Sequence, residues 1–447
     1  MKICKIIIKD FHQFKDFELD LTHPDTGEPL DKVCLIGSNG TGKTKLLIII
    51  DSVININATQ SLELFYCKLE DKKFGKYWLV AYNGNKIVFN DTIENLPNWQ
   101  EDIGKIIIKT DLVFAYELAK SDYLQEYKAP NEGELLNYIY DLQIYSPVES
   151  GDNDFLELRD VPSTSLNESL QLFEQFPIHH TVSNETITDF WKTLIYHLKK
   201  RDNDFQAFQN LEENQNRTVR EVREEFDRQH PKILDLLAKL WDEILGKAGL
   251  EFDVASASNP IQLTDNLKAY IKLKSTGERI NYNDLSTGIR NFIFKVGHIY
   301  SLYFNRQIES GFLLIDEPEN SLFPDFLYDL VDIYKSITSN TQIFMATHSP
   351  IIAAQFEPYE RFILEFDDHG HVQVRRGTVP VGDDPNDILS KDFGVRSLLG
   401  KEGVKKWERY IELRTIIRMT QDMEEKSRLL DEFMKIGNEY NFSNALS

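Results

Sequence analysis

The sequence predicts an α/β protein: a parallel core sheet and a smaller mixed sheet with flanking helices, a helical insertion and a helical C-terminal tail. Three observations carry that prediction. A glycine-rich segment, Gly37-Ser-Asn-Gly-Thr-Gly-Lys-Thr44, joins an apolar strand pattern to an apolar helix pattern. The runs Gly311–Ile315 and Thr341–Thr347 are short and apolar throughout, as strands buried on both faces of a parallel sheet are. Between these regions the chain turns polar and helical.

Residues 2–8 and 17–21 read as two strands joined by a turn over Phe11–Lys15. Lys32–Ile36 is a third strand, and a helix runs from Thr44 to about Val53. Residues 61–90 form small strands, with Asn83-Gly84 as a hairpin turn. Gly104–Lys109 is a buried strand. A loop is expected over Ser146–Asp154, a turn over Val161–Asn167, and helices over 185–248 with a break near Pro231. Sustained heptads are absent, so this stretch is no long coiled coil. Strands return at Ile261–Arg279, with Gly277 in a turn, and a helix follows 285–288. Arg361–Val374 is a strand pair turning at Asp368–Gly370, and from about 386 the chain is helical and charged. Four segments result: 1–111 and 251–395 as two parts of one head, 112–250 as a mainly helical insertion, and 396–447 as a tail.

Bulk properties exclude several classes. At 447 residues the chain can bury a large core. No apolar run is long enough to cross a bilayer, and the N-terminus alternates like a strand and does not resemble a leader. Its 3 cysteines, Cys4, Cys34 and Cys67, are too scattered for a metal clasp and read as reduced thiols of a cytoplasmic protein. The net charge of −22 disfavours a body that wraps DNA by itself, because backbone affinity comes from Lys and Arg. His179-His180 and His369-x-His371 lack partners in sequence for a metal site.

The glycine-rich segment has the pattern and context of a phosphate loop. Gly37, Ser38, Asn39, Gly40, Thr41, Gly42, Lys43, Thr44 and Lys45 form a candidate nucleotide cradle whose backbone amides face phosphate. Lys43 reaches the β- and γ-phosphates of ATP, and the Thr44 hydroxyl binds Mg²⁺. At the other end, Leu313-Leu-Ile-Asp-Glu-Pro318 places two carboxylates at the carboxyl edge of a core strand, where open α/β sheets bind ligands. Asp316 is the second metal residue, and Glu317 is the general base that polarises water. Neighbouring strand side chains face opposite ways, so the two acids have separate duties. His348, after the next apolar strand, is placed against the γ-phosphate. Ser286, Thr287 and Gly288 open a helix, where a hydroxyl and amides can donate to phosphate or merely cap the helix.

These four motifs in this order resemble the ABC-type P-loop ATPases of the SMC, RecF and OLD-like group. The resemblance implies that Ser286–Gly288 close over ATP held by a second copy, in a homodimer or higher homo-oligomer, with Glu317 and His348 acting in cis with Lys43. The opening strand pair resembles the family's, but His12-Gln13 stands where a basic residue is usual, and Ile289 stands where an acid or amide follows the signature glycine. Ser321 and Phe323 stand where His is common. The family's Q-loop glutamine is not placed; Gln125 and Gln143 are the candidates. Val381–Leu389 with Asp392-Phe-Gly-Val395 resembles the ATPases of Septu-type anti-phage systems, which implies an HNH nuclease partner and contact with nucleic acid through the complex. The competing reading is a RecF- or SMC-like DNA-repair ATPase that binds DNA directly. A transporter motor is disfavoured by the long insert between Lys43 and Ser286, and nuclease activity in this chain by the lack of a D-x-D cluster after His348. In the tail, Trp407, Tyr410, Ile411 and Ile417 fall at helical spacing, either as a docking surface or as packing within their own unit.

Overall fold

A computed structural model of the protein describes residues 1–54, 64–71, 75–82, 85–95, 98–101, 142–148, 179–183, 186, 197, 200–247, 249–252, 271–280, 285–304, 310–338, 340–395 and 397–442. The chain forms two compact units, Met1–Gly382 and Asp383–Ser447. This boundary falls inside the segment 381–395, earlier than the expected start of the tail at 396.

The first unit opens with β1 (Lys2–Phe11) and β2 (Phe14–Asp20), antiparallel with Phe11 opposite Phe14. The turn is therefore only His12-Gln13, tighter than the sequence reading, and His12 adopts a left-handed φ of 53° to make it. After β3 (Lys32–Gly37) and helix α1 (Lys43–Ile54), strands β4 (Phe65–Asp71), β5 (Gly75–Tyr82) and β6 (Asn85–Asn90) complete an antiparallel sheet ordered β2-β1-β4-β5-β6.

The core sheet takes β7 (Leu142–Ser146) and β8 (His179–Thr181) from the stretch read as a helical insertion. Gln143, 1% exposed in mid-strand, breaks the apolar pattern of β7; its amide donates to the Asp51 backbone oxygen (2.8 Å) and carboxylate (3.0 Å). Helices α2 (Val219–Gln229) and α3 (Ile233–Lys247) flank the expected break near Pro231. Thr218 caps α2 through a reciprocal bond with Glu221, which satisfies two otherwise unpaired amides. A small sheet of β9 (Leu250–Phe252), β10 (Ile271–Leu273) and β11 (Arg279–Ile280) turns at Gly277, whose φ is 68°.

Helix α4 (Thr287–Tyr303) leads to β12 (Gly311–Asp316). Short helices α5 (Pro324–Leu327) and α6 (Leu330–Ile337) precede β13 (Thr341–Ala346), and helix α7 (Pro350–Ala353) precedes the hairpin β14 (Arg361–Phe366) and β15 (Val372–Arg376). The core sheet runs β15-β14-β3-β13-β12-β7-β8, parallel except at edge strand β15. One apolar core joins both sheets to α1 through Ile6, Leu35, Leu46, Phe312 and Phe344. A helix buried between two sheets must be apolar on all sides, as the Leu46–Ile50 run is. A second core packs α3 and α4 on the small sheet through Trp241, Leu245, Ile271 and Phe294.

The second unit holds helices α8 (Lys401–Met419) and α9 (Met423–Glu439). Tyr410 and Leu413 pack with Ile436 and Phe442, and Tyr410 stacks on Phe433 with ring centres 4.1 Å apart. Trp407 and Ile417 join this cluster, so three of the four residues offered for docking pack within their own unit; Ile411 is exposed. The expected strand Gly104–Lys109, the turn Val161–Asn167, the Asn83-Gly84 turn, the Ser146–Asp154 loop beyond 148, and Gln125 lie outside the described residues.

Candidate nucleotide site at the carboxyl edge of the core sheet

The site forms where β3, β13 and β12 end side by side. In that parallel register Asp316 pairs with Ala346, and Ala346 with Leu35, so the three strands deliver their next residues to one edge. β3 delivers the glycine-rich loop. Gly40 and Gly42 take φ values of 88° and 91°, which lets the chain curl before α1 begins at Lys43. A Cβ at Gly37 would meet the Leu364 oxygen and the Thr41 hydroxyl at 2.6 Å. A Cβ at Gly42 would strike the Gln13 amide and the Phe14 ring. The glycines thus allow both the curl and the close packing beneath it. The N-terminus of α1, with its unpaired amides and positive dipole end, faces an anion placed in the loop.

Lys43 is buried, and its Nζ donates to the Gly37 oxygen at 2.8 Å. Burial lowers its pKa, while Asp316, Glu317 and Glu319 act to raise it. Three carboxylates around one ammonium keep the lysine at the sheet edge. Asp316 is 1% exposed, and neither carboxylate oxygen makes a hydrogen bond of good geometry. Burial raises its pKa; the Thr44 hydroxyl, Lys43 and Lys295 favour its charged form and Glu317 opposes it. A buried, under-satisfied carboxylate beside a threonine hydroxyl fits a divalent cation, which would supply the missing charge.

Glu317 leaves the strand abruptly, with a left-handed φ of 44°. Its amide still donates to the Ala346 oxygen at 2.8 Å, so the turn stays fastened to β13. The Nε2 of His348 lies 3.8 Å from Glu317 Oε1. Burial and Lys43 lower the His348 pKa against the opposing pull of Glu317, which favours a neutral imidazole at physiological pH. Lys43, Thr44, Asp316, Glu317 and His348 are therefore one electrostatic cluster.

Ser286–Gly288 lie at the start of α4 and meet the turn after Glu317 through Gly288. The exposed Ser286 caps α4, its hydroxyl accepting from the Ile289 amide at 3.5 Å. That leaves its own proton free to donate. Gly288 is buried against the Ser321 carbonyl, so close that a Cβ would overlap it. Among the described residues no hydrogen bond or ion pair joins 286–288 to residues 37–45.

Two residues were missed in the sequence. Gln13 reaches the loop from the β1–β2 turn, with its Nε2 3.5 Å from the Gly40 oxygen. In the sequence it registers only as a position where a basic residue is usual. Glu319 carries no signal of its own in the sequence; its carboxylate accepts from the His348 amide at 2.6 Å. Gln143, held by Asp51, is engaged with α1 and not with the loop. His369 and His371 donate backbone amides to Asp367 in the β14–β15 turn, and among the described residues no group of three or more His, Cys, Asp or Glu side chains is placed to hold a metal ion.

The sequence model of a family described as AAA ATPase domain matches residues 1–353. Among solved structures, the chain is similar to an SMC head bound to the C-winged helix domain of ScpA, at 11% identity over 85% of this chain and 99% of that one, with a TM-score of 0.38. The SMC head domain from Thermotoga maritima is likewise 11% identical over 85% of this chain and 100% of that one, with a TM-score of 0.38. An SMC head with an extended coiled coil bound to the C-terminal domain of ScpA, derived from Pyrococcus furiosus, is 11% identical over 84% of this chain and 96% of that one, again with a TM-score of 0.38. No curated protein matches the chain. No described helix is long and apolar enough to cross a membrane.

Proposed function

The chain belongs to the AAA ATPase domain family, and we propose that it is an ATP-hydrolysing subunit that assembles with copies of itself over bound nucleotide. The observation that carries this is the convergence of Lys43, Asp316, Glu317 and His348 on one sheet edge beside the N-terminus of α1. The loop amides and Lys43 hold the triphosphate. Thr44 and Asp316 would hold Mg²⁺, which when bound draws charge from the phosphates.

Glu317, partly open to solvent, orients and deprotonates the attacking water. Neutral His348 beside it donates a hydrogen bond toward the γ-phosphate without adding a second full charge next to Lys43. Ser286 and the amides heading α4 serve the nucleotide of a second copy. Their contact with the turn that begins at Glu317 gives that closure a route to the base.

In the same reading the chain is a cytoplasmic regulator of a partner HNH nuclease in anti-phage defence, with nucleic acid handled by the complex. Support for the partner is the likeness of 381–395 to Septu-type ATPases, together with a net charge of −22 that disfavours direct DNA wrapping. Lys43→Ala should abolish ATP binding in a fluorescent-nucleotide titration. Glu317→Gln should bind ATP normally and lose turnover by at least about 100-fold. Normal hydrolysis by the Gln variant would falsify the base assignment. Light scattering with and without ATP tests assembly, and an unchanged monomer refutes the shared site.

A further inference from the structure

We propose that Glu319 is a positioning residue: its carboxylate fastens the backbone of His348 to the turn after Asp316 and so sets the imidazole against Glu317. This rests on the ATPase reading above. The geometry begins where β12 and β13 end together. One link across the gap is backbone to backbone, Glu317 N to Ala346 O at 2.8 Å. Beyond it the strands part, and the His348 amide has no ladder partner. Glu319 supplies one: its Oε1 accepts from the His348 amide at 2.6 Å.

The neighbouring Thr347 hydroxyl favours the charged form of this carboxylate, and it accepts from the Ser349 amide at 2.9 Å. Thr347 itself is fully buried and its amide donates to the Leu35 oxygen at 3.1 Å. Glu319 thus holds the backbone at 348, while Thr347 ties the same segment to β3 and to Ser349. The turn that presents it is closed by Asn320 N to Glu317 O and Leu322 N to Glu319 O, each 3.0 Å. Glu317 and Glu319 therefore share one rigid turn, one aimed at the imidazole and the other at the backbone carrying it. Charge-assisted bonds to backbone amides are the stronger kind, and the one to His348 is made in a poorly solvated place.

The purpose is specific. His348 is an exposed residue, with its side chain 37% accessible. Its 3.8 Å approach to Glu317 depends on where the backbone is pinned. A carboxylate does this better than an apolar contact, because it binds the amide directionally. Small misplacements of such groups have large kinetic cost, on the order of 100-fold for about 1 Å.

The test uses the full chain. Glu319→Ala should lower kcat for ATP about 10- to 100-fold while KM stays within about threefold. Glu319→Gln keeps an oxygen for the His348 amide and should restore most of kcat. Glu319→Asp is one methylene short and should behave like Ala, which preserves the test should the alanine variant fold poorly. In a His348→Ala background, Glu319→Ala should add little further loss. Independently of turnover, hydrogen exchange at the His348 amide should quicken at least about tenfold in Glu319→Asp or Ala and stay slow in Gln. Wild-type kcat with unchanged exchange in Glu319→Asp overturns the proposal, as does additive loss on top of His348→Ala. A wild-type chain that hydrolyses no ATP defeats the ATPase reading instead, and the exchange measurement still decides whether Glu319 is the tether.

Discussion

Gly288→Ala separates two roles for the glycine that opens α4. If Gly288 serves only a nucleotide, a methyl group there affects binding or turnover and leaves the empty protein intact. The packing argues otherwise. A Cβ at 288 would lie 2.5 Å from the Ser321 carbonyl carbon and 3.2 Å from the Leu322 amide nitrogen, against 3.4–4 Å for ordinary contact. The obstacle is backbone, so no side chain can swing aside. The Ser321 carbonyl oxygen lies nearer still, so either the start of α4 or the turn at 321 must retreat by more than about 1 Å. Retreat is hard, because Ser321 already sits at a φ of 63°, where a non-glycine residue has little latitude. Overpacking of this kind costs about 1–3 kcal/mol. Calorimetry of nucleotide-free protein should show a fall of a few degrees in Tm. Ser286→Ala is the control: its capping bond is long, its side chain is exposed, and its loss should cost about 0.5 kcal/mol. The turn also carries Glu317, so Gly288→Ala should slow hydrolysis about 100-fold. A melting temperature equal to wild type refutes the packing argument even if the rate falls.

Asp316→Asn should stabilise the nucleotide-free protein, by about 1 kcal/mol in EDTA, because it removes a buried and under-satisfied charge. Burial raises the Asp316 pKa above its ordinary 3.8, so the folded state binds the proton more tightly than the unfolded one. Stability therefore falls as pH rises from about 3.8 through the folded value, and the difference between variant and wild type should open over that window and close below it. Urea titrations across pH check the sign; a less stable Asn variant in EDTA refutes it. Leu413→Ala should cost about 2–5 kcal/mol within the second unit, since Leu413 is fully buried among Tyr410, Ile436 and their neighbours. Hydrogen exchange should rise across 401–442, and unchanged protection there refutes the assigned core.

The phosphate loop, the acid pair and the histidine were legible because their chemistry demands fixed residue types after apolar strands. The strands themselves were legible for the same reason that they are buried on both faces. β7 and β8 were not legible. β7 carries a buried glutamine whose partner, Asp51, lies far away in sequence, and β8 offers only His179–Thr181. Periodicity cannot register a polar group that a distant residue satisfies. The tail shows a related limit. Spacing revealed that Trp407, Tyr410 and Ile417 share a helix face, but an apolar stripe reads the same whether it meets a sister helix or a foreign protein. Glu319 and Gln13 were invisible because each acts through a backbone group of another segment, and a backbone amide or carbonyl leaves no trace in residue type.

Strand alternation predicts separate duties for Asp316 and Glu317, and in the structure the two carboxylates stand in different settings for another reason. Asp316 is the last residue of β12 and is held in the core, where its carboxylate is poorly satisfied and suited to a cation. Glu317 has already left the extended conformation. At a φ of 44° it bends the chain through a region that costs a non-glycine residue about 1–3 kcal/mol. Such strain persists only where the surroundings over-determine it. Here four restraints do so: Glu317 N to Ala346 O, Asn320 N to Glu317 O, Glu319 to the His348 amide, and Gly288 closed against Ser321. Strand alternation alone would have sent the second carboxylate to the opposite face of the sheet, away from the first. The left-handed bend instead keeps both acids at one edge with different exposure, 1% for Asp316 against a 35% exposed Glu317 side chain. One carboxylate is thereby fitted to hold a cation and the other to meet water, and the bend between them is what makes adjacent residues chemically unequal.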